Sequence, residues 1–432
     1  MNLAFRFPII YWNCACLITD SGATEDKSTD YDKVAAAIGK ISSYTKIGLI
    51  NINKSNFTFS PDKENNIIWF GLKGVTNVND KLVEDIINNR PYNSIKDFYY
   101  KVKPTKTAMI SLIKGGAFDG MMERRKALVW FLWETCDKKS RLTLQNMPGL
   151  IRYNILPKED KYELPYRIYE FNRYLKAVCG KDLYILDERA LNFLSEIDCL
   201  ELTEIVDEKI TLNPKVWDKQ IYQKYMDIFR EWIQSDKENI LNKLNFAILK
   251  QDWDKYAGKN NLSAWEMETL CFYYHEHELA KVNKNKYGFV DFSKLPEKPI
   301  IERVWRHNNI YHLSKICGTC IAKNKDKSTV TILCSDGSTV NVKFRKEYFS
   351  LFDKQISEKN LDGTKTVKEK SWFNRGNMIC VLGIRQGEEF ISKKYSSSQS
   401  HQLYKIEAIL DNGDLILTSE RYKGGEYEEG ED

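Results

Sequence analysis

Apolar residues recur at helical spacing through the middle of the chain. The run KQIYQKYMDIFREWIQ repeats them every three or four positions, which is typical of a helix that buries one face. RRKALVWFLWETCDKK follows the same rule, with Leu128, Phe131 and Leu132 on its inward face. Helical patterns of this kind continue through 140–260 and predict packed helices without indicating a function. The stripe in the first run consists of Ile221, Tyr225, Ile228, Phe229 and Trp232.

The C-terminal quarter of the chain has a strand-like pattern instead. Short runs rich in β-branched and aromatic residues are separated by turn signals such as Asp336-Gly337 and Gly387-Glu388, which predicts strands joined by turns. An irregular segment separates the third run from the fourth, and DLILTSE is a candidate for one further strand. About five strands in this arrangement are typical of an OB barrel. The five runs are KICGTCIAKN, STVTILCS, TVNVKFR, MICVLGIRQ and QLYKIEAIL.

The N-terminal segment from Leu3 to Ile18 is strongly apolar. A signal peptide is disfavoured because Arg6 stands beside Phe7-Pro8 and the polar sequel TDSGATEDKSTDYD has no small-residue cleavage pattern. The segment is also short for a membrane span. A buried helix is the better interpretation, and such a helix needs a surface to pack against.

Two glycine-containing turns connect helix-like runs. In SLIKGGAFDGM, Gly115 and Gly116 follow an apolar run and precede several cations. Glycine can turn at positive φ and present bare N–H groups to an anion, and nearby cations attract phosphate. The alternative is that the glycine pair only caps a helix. In GLKGVTNVNDKLVEDII, Gly74 lies in a similar turn before a helix that starts near Asn79.

Two such units in tandem predict a helix-hairpin-helix pair that grips the backbone of duplex DNA. The second unit should contribute more, since the first has Asp80 near its helix start, where a carboxylate opposes phosphate. The predicted contacts with the duplex backbone are Lys73, Gly74, Lys114, Gly115, Gly116, Arg124 and Arg125.

The order of these segments resembles that of the bacterial DNA polymerase III α subunit, a C-family replicative polymerase. ENNIIWFGLKGVTNVNDKLVEDIINNRPYNSIKDF, followed by SLIKGGAFD, is similar to the family's tandem helix-hairpin-helix region. LAFRFPIIYWNCACLITDSG resembles the end of its fingers region, and GKISSYTKIGLININKSNFTFSPD the strand segment that follows. LSAWEMETLCFYYHEHEL resembles the helix before its OB domain, and Cys317 to Leu410 that domain itself. This shared order is more specific than any single motif.

The patterns and the resemblance together imply an α+β multidomain fold, in which a helical hairpin region is followed by a helical segment and a C-terminal OB-type β-barrel. We expect a fingers-like helix and linking strands at 1–70 and the tandem hairpins at 71–139. A helical elaboration of unknown role should occupy 140–295, the OB domain 296–420 and an acidic disordered tail 421–432.

Composition adds two constraints. The chain has 432 residues, of which 42% are apolar and 29% charged, so it can form several domains with proper cores. Its net charge of +5, from 65 basic and 60 acidic residues, is too small to indicate nucleic-acid binding by itself. Contacts with DNA must therefore come from local clusters of cations. Ten cysteines without a regular framework indicate a reducing compartment, which we interpret as the cytoplasm.

Two short motifs invite a metal-site interpretation that their spacing does not support. Cys317 and Cys320 have no second ligand pair at workable spacing, so packing within a strand is favoured. His275 and His277 lie two positions apart in a helical-looking stretch, where side chains diverge. We expect no metal and no cofactor in this chain.

An OB barrel holds single strands by stacking bases on aromatic side chains within a basic groove. Trp372, in KSWFNRGN, is the outstanding stacking candidate, and a core tryptophan that closes the barrel is an equal alternative. The predicted single-strand contacts are Lys323, Lys343, Phe344, Arg345, Trp372, Arg375 and Arg385, with Lys325, Lys393 and Lys394 as further candidates.

The sequence shows no constellation for nucleotidyl transfer. Two-metal phosphoryl transfer needs clustered carboxylates, whereas Asp30 and Asp32, like Asp411 and Asp414, fit turns. In the polymerase family these carboxylates belong to the palm, which precedes everything this chain resembles. The chain should therefore be inactive alone.

The resemblance thus implies the DNA-binding portion of a split or truncated replicative polymerase, which holds primer–template duplex and template single strand. A palm-bearing partner chain should bind magnesium. A sliding clamp is a further candidate partner, although the Gln-x-x-Leu-Phe type of clamp-binding peptide is absent from the expected region. No membrane partner is expected. The alternative is a free-standing DNA-binding accessory protein, or a regulatory protein that binds a polymerase or clamp.

Overall fold

The computed structural model describes residues 7–22, 31–41, 45–359, 365–396, 400–424 and 426–428. The chain forms two compact units. The first combines Met1–Val129 with Lys259–Asp432, and the second is Trp130–Gly258. No helix among the described residues is long and apolar enough to cross a membrane.

The first unit begins with helix α1 (Ile9–Ser21), and α2 (Tyr31–Ile41) follows. Within α1, Ile10 and Leu17 are buried, whereas Ile9 and Trp12 are 60% and 51% exposed. The buried helix predicted from the sequence is therefore confirmed for one face of α1 only. A small sheet comes next, in the order β1 (Lys46–Gly48), β3 (Ile67–Trp69) and β2 (Ser60–Asp62).

Four helices build the predicted hairpin region, and the first three begin at polar caps. The side chains of Asn79, Ser94 and Thr105 accept hydrogen bonds from backbone amides in the first turns of the helices that they precede. Such caps satisfy amides that have no partner within the helix. A 3-10 turn, Leu72–Gly74, leads into the region. The helices are α3 (Asp80–Asn88), α4 (Ile95–Val102), α5 (Lys106–Lys114) and α6 (Arg124–Thr135).

Five strands of the C-terminal region close into a barrel. Each is hydrogen-bonded to the next in the cyclic order β9-β10-β11-β15-β14, and β15 is parallel to β11 and antiparallel to β14. Helix α15 (Lys346–Asp353) fills the irregular segment between the third and fourth strands. The α+β class with an OB-type barrel is therefore confirmed. The barrel strands are β9 (Ser314–Asn324), β10 (Thr329–Cys334), β11 (Thr339–Lys343), β14 (Met378–Gln386) and β15 (Glu389–Ser392).

One strand assignment within the barrel needs correction. The run QLYKIEAIL forms β16 (Leu403–Ile409), which extends the sheet from β14 without closing the barrel. The barrel is closed by β15, a four-residue strand that pairs with β11 and β14. Its residue Phe390 is fully buried in the core. A strand this short, beside a glycine turn, gives a weak pattern. The additional strand predicted in DLILTSE is present as β17 (Leu415–Thr418).

The rest of the first unit consists of short elements around the barrel. Helix α13 (Leu262–Leu270) and one-turn helix α14 (Lys284–Tyr287) precede it. A hairpin is formed by β7 (Ile301–Trp305) and β8 (Asn308–Tyr311). Strands β13 (Lys365–Glu369), β12 (Gln355–Lys359) and β18 (Glu426–Glu428) pair in that order. Glu426–Glu428, predicted as part of a disordered tail, is thus a paired strand, while residues 425 and 429–432 lie outside the described residues.

The second unit is mostly helical. On α11, Met226 and Phe229 are fully buried, and Tyr225, Ile228 and Trp232 pack partly buried against the same cores. The predicted stripe is therefore confirmed. A small sheet, which the sequence patterns did not predict, has the order β4 (Tyr184–Ile185), β6 (Lys209–Leu212), β5 (Thr203–Val206). The helices are α7 (Met147–Arg152), α8 (Glu163–Tyr174), α9 (Glu188–Glu196), α10 (Pro214–Trp217), α11 (Gln223–Ser235) and α12 (Lys237–Ala257), with π-helical turns at Leu175–Cys179 and Asp218–Tyr222.

Candidate nucleic-acid interface

The second hairpin lies between α5 and α6, and its glycines end α5. The amide of Gly115 donates to the carbonyl of Ser111 at 2.8 Å, and the amide of Gly116 to that of Ile113 at 3.1 Å. Gly116 has a φ of 87°, a left-handed conformation that favours glycine. Both glycines are buried. Their predicted contact with phosphate is therefore corrected, because their amides already have acceptors within the turn. The two glycines cap the helix, which was the alternative interpretation.

Close internal packing explains why glycine is needed in this turn. A Cβ atom on Gly115 would lie 3.0 Å from Cδ1 of Ile50, and one on Gly116 would lie 2.6 Å from Nη2 of Arg124. The second distance is shorter than any ordinary contact. The glycine pair thus permits the approach of an arginine of the same chain, not the approach of DNA.

Arg124 is held by two carboxylates. Its side chain is 3% exposed. Nε and Nη2 donate to Asp119 at 2.9 and 2.8 Å, and Nη1 donates to Glu266 at 2.9 Å and to the carbonyl of Lys114 at 3.0 Å. Burial opposes the charge, but the bonds to Asp119 and Glu266 outweigh it and raise the pKa of Arg124. Its predicted role as a phosphate contact is corrected, since its donors point inward.

Lys114 is bound in the same way by a second residue of α13. Its Nζ lies 2.7 Å from both carboxylate oxygens of Glu268, and its side chain is 3% exposed. Lys114 is therefore also corrected from a phosphate contact to an internal ion pair. Glu266 is fully buried and accepts from the amides of Tyr274 and His275 at 3.0 and 2.9 Å. We call Lys114, Asp119, Arg124, Glu266 and Glu268 the ionic cluster.

The first turn of α6 is the part of this hairpin that faces solvent. Arg125 and Lys126 are both exposed. Arg125 donates to the carbonyl of Asn260 at 3.0 Å, and Lys126 lies 3.5 Å from Glu123. The first amides of a helix have no intrahelical acceptor, and they favour anions. Of the contacts predicted for this hairpin, Arg125 alone lies on the surface, and Lys126 is a neighbour that the predicted contacts omitted.

In the first hairpin, too, some of the predicted contacts are internal while the first turn of the following helix carries an exposed cation. Nζ of Lys73 lies 3.4 Å from Asp80 and its side chain is 12% exposed. A Cβ atom on Gly74 would lie 2.6 Å from the Phe70 ring, so Lys73 and Gly74 both serve internal packing. Lys81, in the first turn of α3, is exposed. It was missed, although the capping residue Asn79 marks the turn that carries it.

In the barrel, the two aromatic residues predicted to stack on bases are core residues. Trp372 is fully buried, with its ring centroid 4.6 Å from that of Phe352, and Phe344 is 4% exposed, 5.1 Å from Phe373. Nε1 of Trp372 donates to Glu369 at 2.5 Å. Both predicted contacts are corrected, because an enclosed ring offers no face to a base. For Trp372 the barrel-core alternative is the one that holds.

Three of the predicted barrel cations bond to other parts of the barrel region. Lys323 forms a buried pair with Asp353 at 3.0 Å. Arg385 donates to the carbonyls of Gly387, Phe292 and Leu295 at 2.7 to 3.2 Å. Lys323 and Arg385 are therefore corrected from DNA contacts to residues that form bonds within the protein. Arg375 is exposed, although its Nε donates to the carbonyl of Ile321 at 3.1 Å.

The outer face of β9 and β10 is covered by helices of the same unit. Ile321 and Leu333 on these strands form an apolar cluster with Ala35 of α2 and Met267 of α13. The face that contacts single strands in OB domains is that of the second and third strands, here β10 and β11. The end of β11 is accessible, since Lys343 and Arg345 are exposed there.

Exposed cations gather at that accessible end. Lys343 ends β11, and Arg345 precedes α15, and both are exposed. Beside them lies a cavity of about 310 Å³. The cavity is lined by Lys325, Asp326, Lys346, Phe349, Ser350, Asp353 and Lys354. Lys343, Arg345, Lys325, Lys346 and Lys354 define what we call the barrel-edge patch.

The residues considered as metal ligands occupy separate environments. Cys320 lies in the barrel core and Cys317 in an apolar cluster on the other side of β9, where burial raises its pKa to about 12. Nδ1 of His277 accepts from the amide of Leu279, so Nε2 donates to the carbonyl of Leu333 at 3.1 Å. Burial lowers the pKa of His277 to about 4. Among the described residues, no group of three or more His, Cys, Asp or Glu side chains is placed to hold a metal ion.

Sequence comparisons relate the chain to DNA polymerases. A family model described as a helix-hairpin-helix motif matches residues 45–128, which include both hairpins. A protein named "Probable DNA polymerase YorL", from Bacillus subtilis (strain 168), is 35% identical over 448 aligned positions, which cover 98% of this chain and 34% of the relative. The "DNA-directed DNA polymerase" of Bacillus phage SPbeta matches with the same identity and coverage. The chain spans about one third of the length of these curated relatives.

Proposed function

We propose that this chain is the DNA-holding portion of a replicative DNA polymerase of the DNA polymerase III α type. The observation that carries the proposal is the match, over 98% of the chain, to proteins named DNA polymerase. The hairpin motif at 45–128 and the OB-type barrel supply two structures suited to DNA.

The hairpins would hold duplex DNA through the first turns of α3 and α6. Lys81, Arg125 and Lys126 are exposed there. They would bind phosphate without reading sequence, because backbone contacts carry no base information. The ionic cluster would act indirectly, since the bonds of Arg124 to Asp119 and Glu266 fix the start of α6.

The barrel would hold the template single strand at the barrel-edge patch. This patch combines exposed cations with a cavity of about 310 Å³. Its position next to the loop between β9 and β10 fits the surface that OB domains use for single strands. Arg375 is a further candidate, and Trp372 and Phe344 would support the site only by filling the core.

A palm-bearing partner chain would supply the carboxylates that hold magnesium for nucleotidyl transfer. In this proposal the chain alone incorporates no nucleotide, and a sliding clamp joins the assembly. The exposed face of α1, with Ile9 60% and Trp12 51% exposed, supports a partner chain over the accessory-protein alternative, which a helix buried within the chain would favour. All ten cysteines are thiols, which fits the cytoplasmic location that we also propose.

Fluorescence anisotropy with a primed template and a matched single strand would test DNA holding. We expect salt-sensitive binding of both substrates, and no primer extension by the chain alone. Affinity capture followed by mass spectrometry should recover one stoichiometric chain with palm carboxylates. Absence of binding to either DNA would contradict the DNA-holding role, whereas extension by a contaminant-free sample would contradict the split-polymerase role.

A further inference from the structure

The helical unit Trp130–Gly258 carries an open groove that the proposed function does not use. It has a volume of about 920 Å³ and lies between α8, with the π-helical turn that continues it, and α9. Positions 189, 192, 193 and 196 of α9 line one wall, and their spacing places them on one helix face. The charged lining residues are Arg167, Glu170, Arg173, Lys176, Arg189 and Glu196.

Phe193 lines the groove partly buried and packs on Phe171, which is 6% exposed and belongs to the core beneath it. The ring centroids of Phe171 and Phe193 are 4.2 Å apart, with an interplanar angle of 28°. The guanidinium carbon of Arg167 lies 5.3 Å from the centroid of Phe193, and that of Arg189 lies 4.5 Å from the centroid of Tyr174. A guanidinium group that stacks on a ring presents its other flat face outward. The groove therefore offers planar surfaces as well as charge.

Positive charge remains in excess after the internal ion pairs are counted. Arg167 pairs with Glu196, and Arg173 pairs with Glu170 at 3.3 Å. Arg189 and Lys176 are exposed, and within the described ranges neither lies at ion-pair distance from a carboxylate, although Arg189 acts on Asp187 at longer range and Lys176 lies 5.7 Å from the Tyr222 ring centroid. These two cations are available to an anionic ligand.

We propose that this groove binds single-stranded nucleic acid, with phosphates at Lys176 and Arg189 and a base on the stacked arginine and aromatic surfaces. Sequence-tolerant binding of single strands combines a basic groove with stacking platforms in this way. An acidic peptide would satisfy the charges but would leave the planar surfaces unused. The choice of DNA over RNA rests on the proposed function. The proposal that the groove binds a single strand rests only on the charges and rings of the groove.

Photo-crosslinking of the full chain tests the proposal with site resolution. The probe is oligothymidine that carries 5-iodouracil, and crosslinked peptides are mapped by mass spectrometry. We expect crosslinks within Glu163–Glu196, in addition to any at the barrel. The double variant Lys176→Ala, Arg189→Ala should lower the groove crosslink by about tenfold, the effect of removing one good stacking or charge interaction. Arg152→Ala, an exposed arginine on α7 outside the groove, is the matched control and should change nothing.

Failure of the groove can be told apart from failure of the proposed function. Groove peptides that do not crosslink while barrel peptides do, or a groove crosslink unchanged in the double variant, would overturn the groove proposal and leave DNA holding intact. Competition by oligoglutamate as effective as that by unlabelled oligothymidine would overturn it in favour of an acidic peptide. Oligothymidine should also compete better than an abasic oligomer of equal length, because only the former can stack. Oligouridine as competitor then distinguishes RNA from DNA.

Discussion

The second hairpin and the groove of the helical unit use the same residue types in opposite ways. Arg124 in the hairpin is 3% exposed and bonds to two carboxylates, whereas Arg189 in the groove is exposed and stacks on Tyr174. Two of the three carboxylates in the ionic cluster come from far along the chain, since Glu266 is 142 positions from Arg124 and Glu268 is 154 positions from Lys114. Burial and pairing, and not the number of cations beside a turn, therefore decide which arginines can meet a ligand.

The largest expected effect comes from removing the buried carboxylate of the ionic cluster. Glu266→Ala should lower the free energy of unfolding by about 3–5 kcal/mol, because Arg124 would keep its charge in a buried site with one carboxylate fewer. In the groove, Glu196→Ala removes a carboxylate that is 55% exposed, and should have little effect on stability because solvent screens exposed ion pairs. Urea unfolding followed by circular dichroism measures both. Equal losses of stability in the two variants would show that burial of the carboxylate does not explain the difference between the hairpin and the groove.

The glycines of the second hairpin provide the next test. Gly116→Ala forces a side chain into a left-handed φ and against Arg124, and should cost about 2–3 kcal/mol of stability. Gly120→Ala is the matched control in the same loop, since a Cβ atom there meets nothing within 4 Å; it should cost under about 1 kcal/mol. Duplex affinity per folded molecule should be unchanged by Gly116→Ala. A loss of affinity in a fully stable Gly116→Ala protein would restore the phosphate-contact interpretation.

His277 allows a test by pH. Its pKa is about 4 in the folded chain, chiefly through burial, against about 6.5 when unfolded. The unfolded state therefore takes up the proton first as the pH falls, and stability that is fully present above pH 6.5 is lost towards pH 4. We expect a contribution of about 2 kcal/mol between pH 6.5 and 4.5.

Urea unfolding over this pH range, compared with His277→Gln, isolates the effect of the histidine. The variant should be less stable at pH 7 but should show a flatter decline, since glutamine does not titrate. A parallel decline in the two proteins would mean that His277 is already protonated or exposed in the folded chain. The groove variant Lys176→Ala, Arg189→Ala is the control and should leave this pH dependence unaltered.

The sequence predicted the elements better than the contacts between them. Strands β9, β10, β11 and β14, the stripe on α11 and the α+β class could be predicted because each follows from local periodicity. The pairing of Lys114 with Glu268 and of Arg124 with Glu266 could not, because these two carboxylates lie on α13, more than 140 positions away. The closing strand β15 was missed because four residues beside a turn carry little pattern.

The same limit applies to the aromatic residues of the candidate site. Trp372 and Phe193 both lie near basic residues in the sequence, yet the first is fully buried and the second is only partly buried and lines an open groove. Local sequence gives the residue types but not the direction in which a ring faces, since that depends on which distant elements cover it. Arg125 was predicted as a surface contact and lies on the surface, whereas Arg124, the residue before it, is buried.

The smallest expected effect concerns that exposed turn. Arg125→Ala and Lys126→Ala should each leave the free energy of unfolding within about 0.5 kcal/mol of the parent chain, because both side chains are exposed. Each should weaken duplex binding and reduce the slope of log K against log salt by about 0.9 for every phosphate that the variant no longer neutralises. Anisotropy titrations of a primed duplex at several salt concentrations measure the slope, with Arg152→Ala as the charge-matched control. An unchanged slope in both hairpin variants would mean that phosphate does not bind at α6. In that case the exposed cations of the hairpin, like those of the ionic cluster, would not contribute to DNA binding.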